Sequence, residues 1–282
     1  MATIKTICIC GAGTMGSGIA QVCATAGYKT ILYEVNTEVL EKAKANIEKG
    51  LSILVTKNKI TAAEKEFFFH AISFTNQIND CKADLVIEAI VENPEIKTSL
   101  FKKLAQINNA ETIFATNTSS LSVTEIANQI THAESFIGMH FFNPAPVMKL
   151  VEVVNTHFTD KKITEAIIVV AKKMGKTPVI CKDAPGFIVN RVARPFYIES
   201  LRIAEEQTAS FETIDDLLEA TGFKMGPFRL MDLIGNDVNY AVSCSVFDQL
   251  QKPERLKPSY IQEEKVEFGE LGKKTGKGYY KY

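Results

Sequence analysis

Residues 4–20 read IKTICICGAGTMGSGIA, and this stretch decides the fold. Residues 4–10 are apolar and rich in β-branched side chains, which suits a strand covered on both faces. Three glycines follow in the spacing GxGxxG, and then Met15, Ile19, Val22 and Ala26 recur at helical spacing before Gly27 closes the segment. Strand, glycine turn and helix in that order make the opening of a dinucleotide-binding βαβ unit. The first glycine permits the tight turn, the second lets a pyrophosphate approach the backbone, and the third lets helix and strand pack closely. The unpaired N–H groups and positive end of the helix then receive phosphate charge. Gly11, Gly13 and Gly16, with Thr14 and Met15 between them, are therefore candidate pyrophosphate residues.

Working outward, residues 28–33 read as a second strand ending in Glu34, 23 positions after Gly11. A carboxylate there accepts hydrogen bonds from ribose hydroxyls and repels a 2′-phosphate, and no Arg follows within six residues. NAD(H) is favoured over NADP(H). FAD and S-adenosylmethionine in a similar fold, or a turn with no ligand, are the competing readings. Residues 42–72 carry two helical patterns around Lys57-Asn58-Lys59, a helical hairpin inserted into the alternation. Further strands are expected at residues 84–89, 112–115, 135–139, 151–154 and 178–181. Thr37 and Asp237 are expected as helix caps. After Asp183-Ala184-Pro185-Gly186 only helical spacing remains. The expected fold class is α/β: a Rossmann-type doubly wound sheet over residues 1–184, with a helical hairpin insertion, followed by an all-α domain over residues 185–282.

Composition narrows the function. A net charge of −1 with acids and bases interspersed provides no basic field for nucleic acid or an anionic membrane. The six cysteines, Cys8, Cys10, Cys23, Cys81, Cys181 and Cys244, form no CxxC pair and read as small apolar thiols of a reduced protein, with no metal expected. The amino terminus lacks the basic start and apolar core of a signal peptide, and no apolar run approaches the ~20 residues of a membrane span. A cytoplasmic protein is expected.

Of the four histidines, His140 stands apart in Gly138-Met139-His140-Phe141-Phe142-Asn143-Pro144, at the end of an expected strand. On its residues alone it is a packed strand-end histidine as readily as a general base. GAGTMGSGIA (11–20), IVENPEIK (90–97), ATNTSSLS (115–122), GMHFFNPAPVMKLVEVV (138–154) and APGFIVNR (184–191) occur together in this order. In these motifs the chain resembles the 3-hydroxyacyl-CoA dehydrogenase family, and within it the 3-hydroxybutyryl-CoA dehydrogenases. The likeness runs to the terminal GKKTGKGYYKY.

The resemblance implies that His140 is the catalytic base and Glu152 its carboxylate partner, with Ser119 and Asn190 on the substrate. It sets Glu92, Lys97, Asn117, Ser119 and Asn143 near the cofactor or the His–Glu pair. It also implies a homodimer formed through the helical domain, and interconversion of (S)-3-hydroxybutyryl-CoA, or another short 3-hydroxyacyl-CoA, with the 3-ketoacyl-CoA. Ser119 as a helix cap and Asn190 as an ordinary early-helix residue are the structural alternatives. Lys57, with Lys59, is a candidate for the CoA phosphates, a solvated basic turn being the other reading. Arg229 stands where relatives often carry an acid. A longer or dicarboxylic 3-hydroxyacyl-CoA substrate, or a non-catalytic NAD-binding protein of the lens-crystallin kind, are the rival functions.

Overall fold

A computed structural model describes residues 4–282. They fall into two compact units, the first ending at Asp183 and the second spanning Ala184–Tyr282.

The first unit follows the alternation of its sequence. The apolar run becomes β1 (Thr6–Cys10), and the glycine turn leads into α1 (Thr14–Thr25). Then come β2 (Lys29–Tyr33), the hairpin helices α2 (Thr37–Thr56) and α3 (Ala62–His70), and β3 (Ile72–Thr75). β4 (Leu85–Glu88), α4 (Pro94–Ile107), β5 (Ile113–Thr116), the short α5 (Val123–Ala127) and β6 (Phe136–Phe141) continue the pattern. β7 (Leu150–Asn155), α6 (Lys161–Lys173) and β8 (Thr177–Lys182) complete it. Among the described residues the strands form one sheet in the order β3-β2-β1-β4-β5-β6-β7-β8. Pairing is parallel from β3 to β6, antiparallel between β6 and β7, and parallel again to β8. The order reverses between β1 and β4, and the crevice outside the carboxyl ends of strands at such a switch point is where ligands bind.

β1 is covered on both faces, as its unbroken apolarity requires. Ile7 and Ile9 join the large core with Ile19 and Ala20 of α1 and Leu40, Ala43 and Ile47 of α2. Cys8 and Cys10, pointing the other way by strand alternation, are also fully buried.

One local expectation shifts and two features were not foreseen. Asn36, not Thr37, caps α2, its side chain accepting from the N–H groups of Glu38 and Val39. Thr61 and Glu64 form a reciprocal capping box that starts α3. β3 was not expected: Ile72-Ser73-Phe74-Thr75 is an edge strand of four residues with one fully inward position, too short for alternation to stand out from the helix before it.

The second unit consists of α7 (Val189–Glu205), α8 (Phe211–Ala220), α9 (Pro227–Ile234), α10 (Asn236–Gln249) and α11 (Tyr260–Glu267). Its main core joins Tyr197, Leu201, Ile214, Phe228 and Met231. Asp237 does not cap α10. It lies in the first turn and pairs with Lys274, while Gly235 holds the cap position at φ 108°. Two buried carboxylates hold the chain end to the helices. Asp232 accepts from the N–H groups of Tyr279 and Tyr280, from Tyr282 Oη and from Asn236 Nδ2. Asp215 accepts from the N–H groups of Phe228 and Arg229 and from Tyr280 Oη. The terminal glycine-rich segment is thus a structural hook. Arg229 donates to Asp216 at 2.8 Å and Glu219 at 3.0 Å and lies over the Tyr280 ring, so its role within this unit is to join α8, α9 and the hook.

Candidate active site

At the carboxyl end of β1, the chain turns at Gly11 with φ +102°, and a Cβ there would stand 2.6 Å from the Ala89 carbonyl oxygen. Gly16 is required even more stringently, since its Cβ would lie 1.8 Å from the Gly11 oxygen. Gly13 differs. Its φ of −66° suits any residue, and a Cβ would meet no protein atom within 4 Å. The fold does not need that glycine; the open space above it does. α1 also starts with no side-chain cap and no acid in its first turn, leaving its amino-terminal N–H groups to an anion.

A cavity of about 860 Å³ opens here, lined by Gly11, Gly13, Met15, Glu34, Ile90 and Ile96 among others. The Glu34 carboxylate accepts from Ala12 N at 3.0 Å and Asn36 N at 3.1 Å. Each carboxylate oxygen has a second lone pair, so the group is fixed in place and still able to accept from ribose hydroxyls. Open space at Gly13, uncapped helix and anchored carboxylate fit a dinucleotide without a 2′-phosphate.

His140 lies on β6 and Glu152 on β7, directly opposite each other in the antiparallel register. His140 Nδ1 stands 2.7 Å from Glu152 Oε2, with the residues 5% and 1% exposed. An ionised carboxylate accepts only, so Nδ1 carries the proton and Nε2 is the basic nitrogen. Burial makes an unpaired carboxylate costly, and the imidazole offsets that cost. The Phe142 ring packs on the imidazole at 4.5 Å between centroids. Asn117, at the end of β5, accepts from the Phe141 N–H through Oδ1 at 2.8 Å, tying the strand end beside His140 to its neighbour. Asn143 follows on an exposed turn whose bond to Pro144 is cis.

Glu92 organises the segment that carries Ser119. Its carboxylate accepts from Thr118 Oγ1, from Ser119 N at 3.1 Å, from Ser120 Oγ at 3.1 Å and from Lys97 Nζ at 3.1 Å. Lys97, 1% exposed, also donates to Glu88 Oε1 at 2.5 Å. Burial works against ionised Glu92, but the ammonium and these donors outweigh it and hold its pKa below the usual carboxylate value. In Glu88 burial wins and the pKa is raised. Glu92 and Lys97 thus shape residues 117–120, which the sequence did not reveal. Ser119 does not cap a helix; Ser122 caps α5.

Sequence reasoning missed Glu88 and Lys176. Glu88 ends an apolar strand with a charge, the signal that could have found it, given Lys97 nine residues on. Lys176 Nζ donates to the carbonyls of Ala145 at 2.5 Å and Met148 at 2.8 Å, pinning the turn that follows the histidine strand. In the second unit Asn190 sits in the first turn of α7, where its carbonyl accepts from buried Arg194. Lys57 follows the end of α2 on the exposed hairpin turn.

Comparison with known proteins gives the same picture for both units. The family model "3-hydroxyacyl-CoA dehydrogenase, NAD binding domain" matches residues 6–184, and "3-hydroxyacyl-CoA dehydrogenase, C-terminal domain" matches residues 186–282. The chain is 46% identical to 3-hydroxyadipyl-CoA dehydrogenase of Escherichia coli over 99% of its own length and 59% of that relative's. It therefore spans somewhat more than half of that protein. It is 41% identical to the mitochondrial hydroxyacyl-coenzyme A dehydrogenase of Sus scrofa, covering 99% of this chain and 91% of the relative. The crystal structure of (S)-3-hydroxybutyryl-CoA dehydrogenase from Ralstonia eutropha superposes with a TM-score of 0.95 at 37% identity, covering 99% of both chains. On both of its parts, the chain belongs to the 3-hydroxyacyl-CoA dehydrogenase family of NAD-dependent oxidoreductases.

Proposed function

We propose that the chain interconverts a short (S)-3-hydroxyacyl-CoA, 3-hydroxybutyryl-CoA foremost, and its 3-ketoacyl-CoA with NAD(H). The observation that carries this reading is the 2.7 Å contact of His140 Nδ1 with Glu152 Oε2, made across two buried strands at the carboxyl end of β6. NAD(H), held by the glycine turn and Glu34, would supply hydride acceptance from C3 and hydride return in the reverse direction. His140 Nε2 removes the proton of the 3-hydroxyl as the C–H bond breaks and the carbonyl forms. In reverse, the imidazolium returns that proton to the ketone oxygen. Glu152 keeps Nδ1 protonated and stabilises the imidazolium. Ser119, on the segment shaped by Glu92, and Asn190 hydrogen-bond the reacting oxygen or the thioester carbonyl and hold C3 in line. Gly11, Gly13, Thr14, Met15, Gly16 and Glu34 bind the cofactor, with Asn117 and Asn143 at its reacting end. Lys57 meets the CoA phosphates, and the helical unit forms a homodimer.

The cytoplasm is the proposed compartment: all six thiols are free, and no helix among the described residues is long and apolar enough to cross a membrane. The test follows the reduced-nicotinamide absorbance with acetoacetyl-CoA. NADH is expected to be consumed and NADPH far more slowly, and His140→Ala should lose about 10²–10⁴ in turnover with NADH affinity nearly intact. No oxidation of NADH with any 3-ketoacyl-CoA would favour a binding protein.

A further inference from the structure

On the strand that leads into Gly11, next to the dinucleotide cavity but not lining it, three thiols meet in the sheet's interior. Cys8 and Cys10 lie two positions apart on β1 and so share one face. Cys81 reaches them from the segment between β3 and β4. All three residues are fully buried, their sulfurs lie within 4.8 Å of one another, and Cys8 Sγ stands 3.9 Å from Cys10 Sγ. Small apolar filling would explain each cysteine singly, but not why three sulfurs separated by up to 73 positions converge.

We propose that Cys8, Cys10 and Cys81 form a three-sulfur site for a soft monovalent cation, Cu(I). Sulfurs bonded at about 2.3 Å to one cation lie roughly 3.8–4.0 Å apart, so the Cys8–Cys10 separation already matches and the others need close by no more than about 1 Å. The donor set selects the metal. Thiolates favour Cu(I), Zn²⁺ or iron–sulfur clusters. Structural Zn²⁺ takes four ligands and iron–sulfur clusters are held by four, whereas this site has three sulfurs and no exposed position for water. Cu(I) accepts three.

Binding replaces S–H protons by S–Cu bonds, the released protons going to solvent, with no change in oxidation state. Entry is provided by the short turn Ile78–Asp80 just before Cys81, whose Asn79 and Asp80 are exposed and whose local opening uncovers the sulfur. The bound cation would join the central strand to that turn and so stabilise the first unit.

The experiment titrates the full chain, reduced and anaerobic, against Cu(I) held as its bathocuproine disulfonate complex. Wild type is expected to withdraw one equivalent, gain an ultraviolet sulfur-to-copper charge-transfer band, and show a raised Tm. Cys81→Ser, and Cys8→Ala as a second variant should the first not fold, are expected to show none of these over the same chelator range. Loss of a direct ligand should weaken binding beyond the roughly 10–100-fold that loss of an outer partner costs. NADH binding reports that each variant is folded. Uptake by wild type no greater than by these variants, or uptake abolished instead by Cys181→Ser or Cys244→Ser, overturns the site.

Discussion

Gly13 and Gly16 are identical in sequence terms and opposite in physical cause. Gly16→Ala drives a methyl to 1.8 Å from the Gly11 carbonyl oxygen and is expected to lower Tm sharply. Gly13→Ala meets no protein atom, so Tm should hold while NADH affinity falls at least about tenfold, or ~1.4 kcal/mol. Thermal melts paired with NADH titration separate the two; a Gly13→Ala protein with unchanged affinity would mean that no phosphate comes near that backbone. Glu152→Gln keeps the shape and removes the charge beside Nδ1. Turnover should fall by about 10²–10⁴ in steady-state kinetics, with NADH affinity unchanged. The glycine turn and the placement of Glu34 beside it were legible from spacing because both are local. His140 was not, on its residues alone, since its partner is chosen by strand register and sits 12 positions away. The resemblance singled out Glu92 and Lys97, but their contact with each other and with Glu88 was opaque for a similar reason: it depends on where α4 lies over the end of β4.

At the scale of elements, long apolar or strongly periodic segments could be read and short ones could not. β1 and α1 declared themselves, while β3 had too few residues to show a period. The turn after β6 is held at two places. Lys176 binds two of its carbonyls, and its Ala145 and Pro146 pack against Gly18 of α1, where a Cβ would approach the Pro146 Cδ to 3.0 Å. The turn beside the proposed base thus rests on the helix proposed to receive the pyrophosphate. Lys176→Met should free the two carbonyls at a cost of about 1.5–3 kcal/mol, lowering Tm by several degrees. Turnover should fall more than NADH affinity, because the glycine motif is untouched. Equal losses in both, measured by steady-state kinetics and NADH titration, would contradict a positioning role.

For the whole molecule, the change from alternating to purely helical patterns after Asp183 was visible because the two kinds of unit bury different periodicities. What composition could not convey is how the helical unit secures its end. Its closing tyrosines are bound by Asp215 and Asp232, and Glu270 is clasped by Lys265 at 2.5 Å and by Lys277. Hydrogen bonds from these two ammonium groups lower the Glu270 pKa from 4.5 to about 2. Because the folded value lies below the unfolded one, this contribution is present above pH 4.5 and is lost as pH falls towards 2. Wild type should therefore melt higher than Glu270→Gln at neutral pH, and the two melting curves should converge at acid pH; a gap independent of pH would assign the effect to packing.

The facing arrangement of His140 and Glu152 on two antiparallel strands has a consequence for how the gene can drift. Losing one codon from the exposed turn at residues 146–149 disturbs the carbonyls that Lys176 holds but keeps the inward and outward alternation of both strands. Losing one from within either strand turns the neighbouring side chains onto the wrong side of the sheet and parts the couple outright. Length variation should thus cost turnover far more inside the two strands than between them.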